Sequence, residues 1–493
     1  MAGRRAALSG AVLIVSCLIA LVISPVQAMA AAARDREPDA GRTNFVVLAP
    51  EDADLGVTER AVRHAGGRVL QSWDAIGVVV ATSGHDDFAD RVRAEPGVSG
   101  AGATRDLAAV TKQDVEPADE VSGLGRGTSG GDDRDEADFD RQWNLRMIRA
   151  DAAHRITDGD RSVVVGILDT GIDPSHPDLA DNIDPALSVG CTADGIPDGR
   201  VAAWQATSSG HGTHVAGIVG AVRDGEGIVG IAPNVRLASV KVVDNDGYIY
   251  PEYALCGILW AAEHEMDVTN NSYLLDPWTR WCGSDPDQAA VQDAMRRALS
   301  YSERQQVVTI ASAGNDRADL TRPLLDRTSP SNGNPELRRV EPECRPLPSG
   351  APTVVAVSAV GPTATKAYYS NYGAGAIGVT APGGDAWLDW RAERPVESDT
   401  IWSTEAGGGY SWMQGTSMAS PHVAGVVALM RSVHPELTAA EVRTRLQDDA
   451  RTLDCPTSYD FNEDGRPDAV CEGGAGEGFY GAGLVDALAA VTR

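Results

Sequence analysis

The sequence predicts an α/β fold, a parallel sheet covered by helices, preceded by a small α+β domain of ferredoxin-like pattern. The near-continuous apolar run Val163–Leu168 is typical of a parallel strand that is buried on both faces. Helix-like segments such as Tyr253–Glu263 and Ala289–Ser300 alternate with runs of this kind, which favours a parallel sheet. The other strand-like runs are Arg236–Val243, Met266–Ser272 and Val307–Ala311.

The α+β domain is predicted over residues 44–104. Strands and helices alternate there in the order β-α-β-β-α, which is compatible with a ferredoxin-like fold. We find no catalytic constellation in this part of the sequence. The predicted elements are a strand at Asn44–Ala49, a helix at Val57–Ala65, two strands in Arg68–Val80 broken at Asp74–Gly77, and a helix at Asp86–Ala94.

The first 30 residues have the pattern of an export signal. Arg4 and Arg5 precede an apolar run, Ala11–Ile23, which is too short to span a membrane comfortably. Ile14–Cys17 has a faint likeness to a lipoprotein box, but the apolar run continues beyond it. No second long apolar run follows, so we expect a secreted, extracellular protein without a membrane anchor in its mature form.

Charge and length limit the partners and the number of domains. The chain has 493 residues, and 42 basic against 70 acidic side chains give a net charge of −28. This surplus of negative charge excludes nucleic acid as the expected partner. Residues 113–141 carry ten acidic and three basic side chains with almost no apolar content. We therefore predict a cleavable acidic linker over residues 105–141 and a second, larger domain over residues 142–493.

Six cysteines remain after the export signal, and an even number in an exported chain predicts disulfides. Cys455–Cys471 is the most plausible local pair, and Cys282–Cys344 is a second pairing that we consider. Unpaired buried thiols are the alternative. The six are Cys191, Cys256, Cys282, Cys344, Cys455 and Cys471.

The segment Gly415–Gly425, G-T-S-M-A-S-P-H-V-A-G, begins a helix that is apolar on all sides and is therefore predicted to be buried. Pro421 fits only in or near a first turn, which places Ser417 at the N-terminus of this helix. Free backbone N–H groups and the positive end of the helix dipole would surround an oxyanion there. The alternative interpretation is a serine that only caps the helix.

Three further polar residues follow predicted strands or begin helices. Asp169 ends the first strand of the sheet, His211 lies in the glycine-flanked start of an apolar helix, and Asn315 follows another strand. Taken singly, they could be a turn residue, a core histidine and a turn amide. Together with Ser417 they supply an orienting carboxylate, a base, an oxyanion donor and a nucleophile at the carboxyl ends of neighbouring strands.

The motifs D-T-G-I-D, H-G-T-H-V-A-G, S-A-G-N and G-T-S-M-A-S-P-H-V-A-G resemble those of the subtilisin-like serine peptidases, and their order is that of subtilisin. The resemblance implies that Ser417 attacks the scissile carbonyl, His211 acts as base and then acid, Asp169 holds the imidazole, and Asn315 joins the oxyanion hole. Spacing alone does not decide between His211 and His214. We expect His214, His176 and His422 to be structural.

The resemblance also implies two substrate-binding strands. Gly247, Tyr248 and Ile249 would flank an extended peptide on one side, and Ser272, Tyr273 and Leu274 on the other. The family's usual Ser-Leu-Gly is altered in the second segment, so we expect Tyr273 and Leu274 to add bulk at the wall of the specificity pocket. Residues 275–306 and 316–348 are longer than a minimal relative needs, and the second insertion is expected to form a surface loop near the cleft.

Residues 44–104 match the family's pro-domain in position and pattern. A parallel-sheet fold dominated by non-local contacts folds slowly, so a removable template that also blocks the cleft would assist folding and delay activity. We expect autocleavage between Arg105 and Arg141.

Metal sites are a further expectation. Asp178 and Asp224 lie where relatives often place calcium ligands, and hard carboxylate oxygens suit that ion. A second calcium loop is indicated by spacing, with Cys471 at the position where a bidentate Glu is usual; a disulfide-closed acidic turn is the alternative. The side chains of this loop are Asp460, Asn462, Asp464 and Asp468, with Gly465 at the sharp turn.

The sequence as a whole predicts a secreted, monomeric serine endopeptidase that is made as an inactive precursor. Its partners would be a protein or peptide substrate and its own pro-domain. No cofactor is expected for catalysis. The metal ion that the sequence indicates is calcium, in a structural role. The alternatives are a catalytically inactive binding scaffold and a relative that transfers the acyl group to an amine.

Overall fold

The computed structural model describes residues 42–105, 138–387, 399–474 and 476–493. All the elements below belong to the unit Thr43–Arg493. The predicted export signal and most of the predicted linker lie outside the described residues. None of the helices in the described ranges is both long enough and apolar enough to cross a membrane.

The small domain has the ferredoxin-like strand order β2-β3-β1-β4, and every pairing is antiparallel. Asp54 caps the first helix by accepting a hydrogen bond from the Gly56 N–H at 2.9 Å. Gly77, at a φ of +62°, lets the chain turn between the second and third strands. Its elements are β1 Thr43–Leu48, α1 Leu55–His64, β2 Arg68–Trp73, β3 Val78–Ser83, α2 Phe88–Arg93 and β4 Gly100–Ala103.

The strand β4 was not predicted, because its sequence Gly-Ala-Gly-Ala has low strand propensity. Gly102 is explained by what packs against it in the larger domain, because a β-carbon there would overlap the carbonyl oxygen of Asp287. A β-carbon on Gly100 would lie 3.2 Å from Cδ1 of Leu48, in the small domain itself, and in ordinary contact with the β-carbon of Ala290. Because glycine has no side chain, the backbone of β4 can lie directly against the larger domain.

The larger domain is a seven-stranded sheet covered by helices, as predicted. The strand order is β13-β12-β9-β8-β5-β7-β6, and all neighbouring strands are parallel. The strands and helices are α3 Trp143–Met147, α4 Ala150–Ala153, β5 Val164–Asp169, α5 Pro177–Ala180, β6 Val189–Gly190, α6 Val201–Trp204, α7 His211–Gly220, β7 Arg236–Lys241, α8 Pro251–Glu263, β8 Val268–Asn271, α9 Pro286–Arg304, β9 Val308–Ser312, β10 Leu324–Asp326, β11 Arg338–Val340, β12 Val354–Val360, β13 Val379–Pro382, β14 Ile401–Glu405, β15 Gly409–Met413, α10 Thr416–Val433, α11 Ala439–Asp449, α12 Glu477–Tyr480 and α13 Ala487–Thr492.

The sheet separates two apolar cores because side chains alternate along each strand. In β5, Val165 and Ile167 join the core that contains α7 and α10, whereas Val164 and Leu168 join the core that contains α8 and α9. A strand with a core on each face must be apolar throughout, which explains the continuous run read from the sequence.

The small domain lies on α8 and α9, and its β1 and β3 contribute side chains to the same core as those helices. Arg297 of α9 donates to the backbone carbonyl of Ala49 at 2.9 Å and, at longer range, to those of Ile76 (3.3 Å) and Gly77 (3.4 Å). Arg93 forms an ion pair with Asp287 at the start of α9. The two domains are thus joined by apolar, polar and ionic contacts.

The described part of the larger domain begins at Asp138, four residues before the predicted boundary. The Asp138 N–H donates to the carbonyl of Gly227 at 2.9 Å, and its carboxylate accepts from the Trp402 indole at 3.1 Å. The Arg141 guanidinium lies over the Trp402 ring, 4.9 Å from its centroid. The acidic segment therefore ends in a short anchored stretch.

Three disulfides are formed, and they include both pairs that we considered, Cys282–Cys344 and Cys455–Cys471. The third, Cys191–Cys256, ties the middle of α8 to the segment after β6. The second insertion, residues 316–348, contains the β10–β11 hairpin and is joined to Cys282 through Cys344. In it, the Ser331 carbonyl accepts from the Tyr248 hydroxyl at 3.3 Å, so the insertion contacts a predicted substrate strand.

Candidate active site

The carboxylate of Asp169 lies at the carboxyl end of β5, near the centre of the sheet, and is 1 % exposed. Its Oδ1 accepts from the Thr170 N–H at 2.7 Å and from Nδ1 of His211 at 2.7 Å. A buried carboxylate in this contact fixes the ring orientation and tautomer of the histidine, so that Nε2 is left as the proton acceptor.

His211 begins α7, and its side chain is 15 % exposed. The helix can approach Asp169 because residue 212 is glycine: a β-carbon there would lie 3.1 Å from Asp169 Oδ1 and 2.5 Å from the Gly171 carbonyl oxygen. His214 is completely buried, and its Nε2 donates to the carbonyls of Ile401 and Ser411, each at 3.2 Å. Burial lowers the pKa of His214 to about 3. Of the two histidines between which spacing left the choice open, His211 is therefore the one that contacts Asp169 and is partly accessible.

The other two histidines expected to be structural are also held in the interior. His422 Nδ1 donates to the Met418 carbonyl at 2.7 Å, and burial lowers its pKa to about 4. His176 is buried, and its Nε2 donates to the carbonyl of Gly409 at 2.8 Å.

Ser417 is the second residue of α10, and it is the only one from Gly415 to Arg431 that is not buried. Gly415, at a φ of +150°, precedes the helix. The Ser417 hydroxyl donates to the backbone carbonyl of Ser272 at 3.3 Å. The Ser417 side chain is thus partly accessible at the N-terminus of a helix whose other residues up to Arg431 are buried.

Pro421 is the sixth residue of α10 and lies just after its first turn, near the position that the sequence indicated. It cannot donate to the carbonyl of Ser417, four residues earlier, as a helical residue normally does. Ser272 Oγ donates to this carbonyl at 2.8 Å and also bonds Ser420 Oγ and Asn270 Nδ2, each at 2.8 Å. Ser272 therefore stabilises the helix turn that carries the nucleophile, a role that sequence reasoning missed. The sequence did contain a sign of this role: a proline four residues after Ser417 leaves the Ser417 carbonyl without its helical donor, so another donor is needed.

Asn315 follows β9 and is oriented by Thr416. Its Oδ1 accepts from the Thr416 N–H at 2.9 Å and the Thr416 hydroxyl at 2.8 Å, so its amide nitrogen faces the other way. A β-carbon placed on Gly415 would lie 3.5 Å from Asn315 Nδ2 and 3.5 Å from the Ser417 nitrogen. Two N–H donors thus face one small space beside the nucleophile, which is the arrangement of an oxyanion hole.

The first predicted substrate strand is open at its start. Gly247 has a φ of +87°, and nothing lies within 4 Å of the position of a β-carbon on it. Tyr248 is partly exposed, and its ring stacks on Tyr250 at 5.6 Å.

The second predicted strand requires a correction. The Tyr273 side chain is only 6 % exposed, belongs to the core beside α8 and α9, and donates its hydroxyl to Asn271 Oδ1 at 2.9 Å. Its bulk therefore fills the core and not the wall of a pocket. Leu274 is partly exposed, and its Cδ1 lies 3.3 Å from the position of a β-carbon on Gly314, next to Asn315. Of the two altered residues, only Leu274 narrows the site.

The residues predicted to bind metal do not form a cluster. Among the described residues, no group of three or more His, Cys, Asp or Glu side chains is placed to hold a metal ion. Asp178 is buried, and its carboxylate accepts from the Tyr410 hydroxyl (2.8 Å) and the Ile228 N–H (3.0 Å). Asp224 is exposed and accepts from the Glu226 N–H at 2.9 Å. The carboxylates of Asp178 and Asp224 thus accept hydrogen bonds from the protein, and calcium at this position stays a prediction.

The oxygens of the second predicted site, the loop 460–468, accept hydrogen bonds from within the loop. Asp460 accepts from the N–H groups of Asp464 (3.2 Å) and Gly465 (2.9 Å), and Asn462 accepts from that of Asp464 (2.9 Å). Asp468 accepts from the Phe461 N–H at 2.9 Å and from the Asn462 amide at 3.1 Å. The loop is a closed turn with oxygen donors of the kind that calcium prefers.

The structure thus places a hydrogen-bonded Asp169–His211 pair at the carboxyl end of β5 and a partly exposed Ser417 at the N-terminus of α10, on a parallel α/β sheet. The sequence profile of the Subtilase family matches residues 160–478. The chain therefore belongs to the subtilase family, the subtilisin-like serine peptidases.

Individual relatives agree with this assignment. Subtilisin from Bacillus pumilus is 32 % identical over 311 residues, which cover 63 % of this chain and 92 % of that protein. Fervidolysin from Fervidobacterium pennivorans is 29 % identical over 317 residues, 62 % of this chain but only 38 % of its own length. The chain spans 66 % of the length of subtilisin NAT from Bacillus subtilis subsp. natto.

Two solved structures have the same fold over nearly the whole chain. The epidermin leader peptide processing serine protease from Staphylococcus aureus has a TM-score of 0.64 at 20 % identity and covers 91 % of this chain and 98 % of its own. The fervidolysin structure has a TM-score of 0.61 at 25 % identity and covers 93 % of this chain and 62 % of its own.

Proposed function

We propose that this protein is a secreted serine endopeptidase, made as a precursor and matured by removal of the domain at residues 44–104. The observation that carries the proposal is the 2.7 Å hydrogen bond between Asp169 and His211. Ser417, which is partly exposed at the N-terminus of α10, supports it, as does Asn315, whose Nδ2 borders the same space beside Gly415 as the Ser417 nitrogen. Family membership supports the reaction class. Three disulfides and the predicted export signal support an oxidising, extracellular location.

The reaction follows from these positions. His211 Nε2 takes the proton of the Ser417 hydroxyl as its oxygen bonds the peptide carbonyl carbon, and the two N–H donors stabilise the oxyanion. His211 then gives the proton to the leaving amine, and the C–N bond breaks to leave an ester on Ser417. Water, deprotonated by His211, hydrolyses the ester and returns the proton to the serine. Asp169 stabilises the imidazolium in both halves.

The pro-domain is proposed to hold the precursor inactive until it is cut between Arg105 and Arg141. In support, the small domain packs on α8 and α9, and its chain leaves β4 at Arg105 beside the predicted substrate strand. The partners are thus a polypeptide substrate and the protein's own pro-domain, and we propose that the mature enzyme is a monomer.

A fluorophosphonate reagent and a peptide library test the proposal on the secreted protein. An endopeptidase would be labelled on Ser417, and the library would be hydrolysed to free carboxyl products. Failure to label or cleave would favour the inactive scaffold. Amide adducts that outnumber hydrolysis products when an amine is added would favour acyl transfer.

We also propose that the loop 460–468 binds a structural calcium ion, since its donors are hard oxygens in a suitable order. A ligand that binds only the folded state raises its stability. Tm should therefore rise by a few degrees with calcium and fall again with a chelator, and Asp464→Asn should reduce the shift. Asp448→Asn, on the exposed side of α11, is the matched control. The same calcium response in Asp464→Asn would exclude this loop.

A further inference from the structure

Arg105 is the last described residue of the small domain, and its guanidinium lies in a pocket on the larger domain. It forms an ion pair with Glu252 at 2.6 Å and donates to the Tyr253 hydroxyl at 3.0 Å. The guanidinium carbon lies 3.9 Å from the centroid of the Tyr250 ring. A planar cation stacked on one ring with charged and polar acceptors beside it is a contact that arginine makes better than lysine.

Glu252, in the first turn of α8, is fully buried with the small domain in place. Its Oε1 accepts from Arg105 and from the Asn44 amide, the latter at 2.9 Å, and both donors belong to the small domain. In the described part of the chain, no donor reaches Oε2. Once the small domain leaves, the carboxylate keeps none of these partners. An acidic group between two tyrosines then strongly favours a new cation.

The pocket continues the predicted substrate strand. Tyr250 follows Gly247–Ile249 directly, and the Tyr248 and Tyr250 rings stack at 5.6 Å. Arg105 also precedes the predicted cut between Arg105 and Arg141. In the precursor, the pocket therefore holds a side chain on the N-terminal side of the bond to be broken.

We propose that Tyr250, Glu252 and Tyr253 form a subsite for a basic side chain, arginine above lysine, located several residues N-terminal to the scissile bond of a polypeptide substrate. This inference rests on the proposed endopeptidase function. Arg105 occupies the subsite in the precursor, and the substrate occupies it in the mature enzyme. The whole chain of 493 residues has a net charge of −28, and a surplus of negative charge assists the approach of basic polypeptides.

The test uses the mature enzyme and quenched-fluorescence peptides that share one cleavable core. A single arginine is moved through successive upstream positions, with norleucine at the same position as the neutral reference. At one position arginine should raise kcat/KM about tenfold over norleucine, because a charge-assisted hydrogen bond is gained. Glu252→Gln should bring this ratio near one, and Tyr253→Phe should lower it partially. Glu263→Gln, at the exposed far end of α8, should leave the ratio unchanged.

Two outcomes overturn the subsite while endopeptidase activity stands: a ratio near one at every position in the wild type, or an undiminished preference in Glu252→Gln. Binding of the same peptides to fluorophosphonate-treated wild type, followed by fluorescence anisotropy, separates the two proposals. Tighter binding of the arginine peptide to the treated protein would support the subsite. If the untreated wild type hydrolysed none of these peptides while the treated protein still bound the arginine peptide more tightly, the endopeptidase proposal would fail and the subsite would stand. If Glu252→Gln does not fold, Tyr253→Phe and the wild-type ratio still decide.

Discussion

Ser417→Ala is expected to lower kcat/KM by roughly 10⁶-fold, the scale of the loss in subtilisin, and to leave the secreted precursor uncut. Ser417 is the one residue at the tip of α10 that is not buried, and no described neighbour in that helix could replace its hydroxyl. Peptide hydrolysis and the intact mass of secreted wild type and variant measure the two effects. The wild type should appear as a shortened form and the variant at full length.

Ser300→Ala in α9 is the matched control, because it removes a hydroxyl from a helix far along the chain from the motif. It should mature and hydrolyse peptides like the wild type. A Ser417→Ala protein that matures normally would show that another protease makes the cut. One that also cleaves peptides normally would remove Ser417 from the mechanism.

Asn315→Ala is expected to reduce kcat by about 10²–10³-fold, equivalent to about 2.7–4 kcal/mol, with little change in KM. The Asn315 amide faces the space beside Gly415 where charge develops in the transition state, so its loss should act on the chemical step. Steady-state kinetics on one peptide substrate separates kcat from KM.

Asn315 also accepts hydrogen bonds from Thr416, so the alanine variant alone would mix two roles. Asn315→Asp keeps the acceptor oxygen for Thr416 but has no N–H to donate. We expect it to retain Tm and still lose kcat. If kcat fell only in the variant whose Tm also fell, Asn315 would instead have a purely structural role.

The catalytic residues could be predicted from the sequence because each follows a strand or begins a helix in a short local motif. Asp169 ends β5 and Ser417 begins α10, and both positions are fixed by the apolar runs beside them. The parallel sheet was predicted for the same reason. A strand with a core on each face is apolar along its whole length, and this run can be recognised without knowing which strands pair with it.

What could not be predicted depends on contacts between distant segments. The weak strand β4 exists because Gly102 must lie against Asp287. Tyr273 is buried because the core beside α8 and α9 has room for its ring, which its own neighbours in sequence do not reveal. Arg105 and Glu252 are 147 residues apart, and nothing local in either segment indicates their ion pair.

The way α9 binds the small domain bears on how the two parts can diverge in evolution. Arg297 pairs with Asp293 of its own helix through Nε, and to the small domain it donates through Nη1 to the backbone carbonyls of Ala49, Ile76 and Gly77. Side-chain substitutions at Ala49, Ile76 and Gly77 leave their backbone carbonyls in place. The contact with Arg297 therefore imposes few constraints on the sequence of the small domain. A homologous pro-domain with quite different loops would still present the same acceptors, so cross-recognition among paralogous precursors is permitted at this contact. Selectivity for the cognate pro-domain must then come from side-chain contacts such as Arg105 with Glu252.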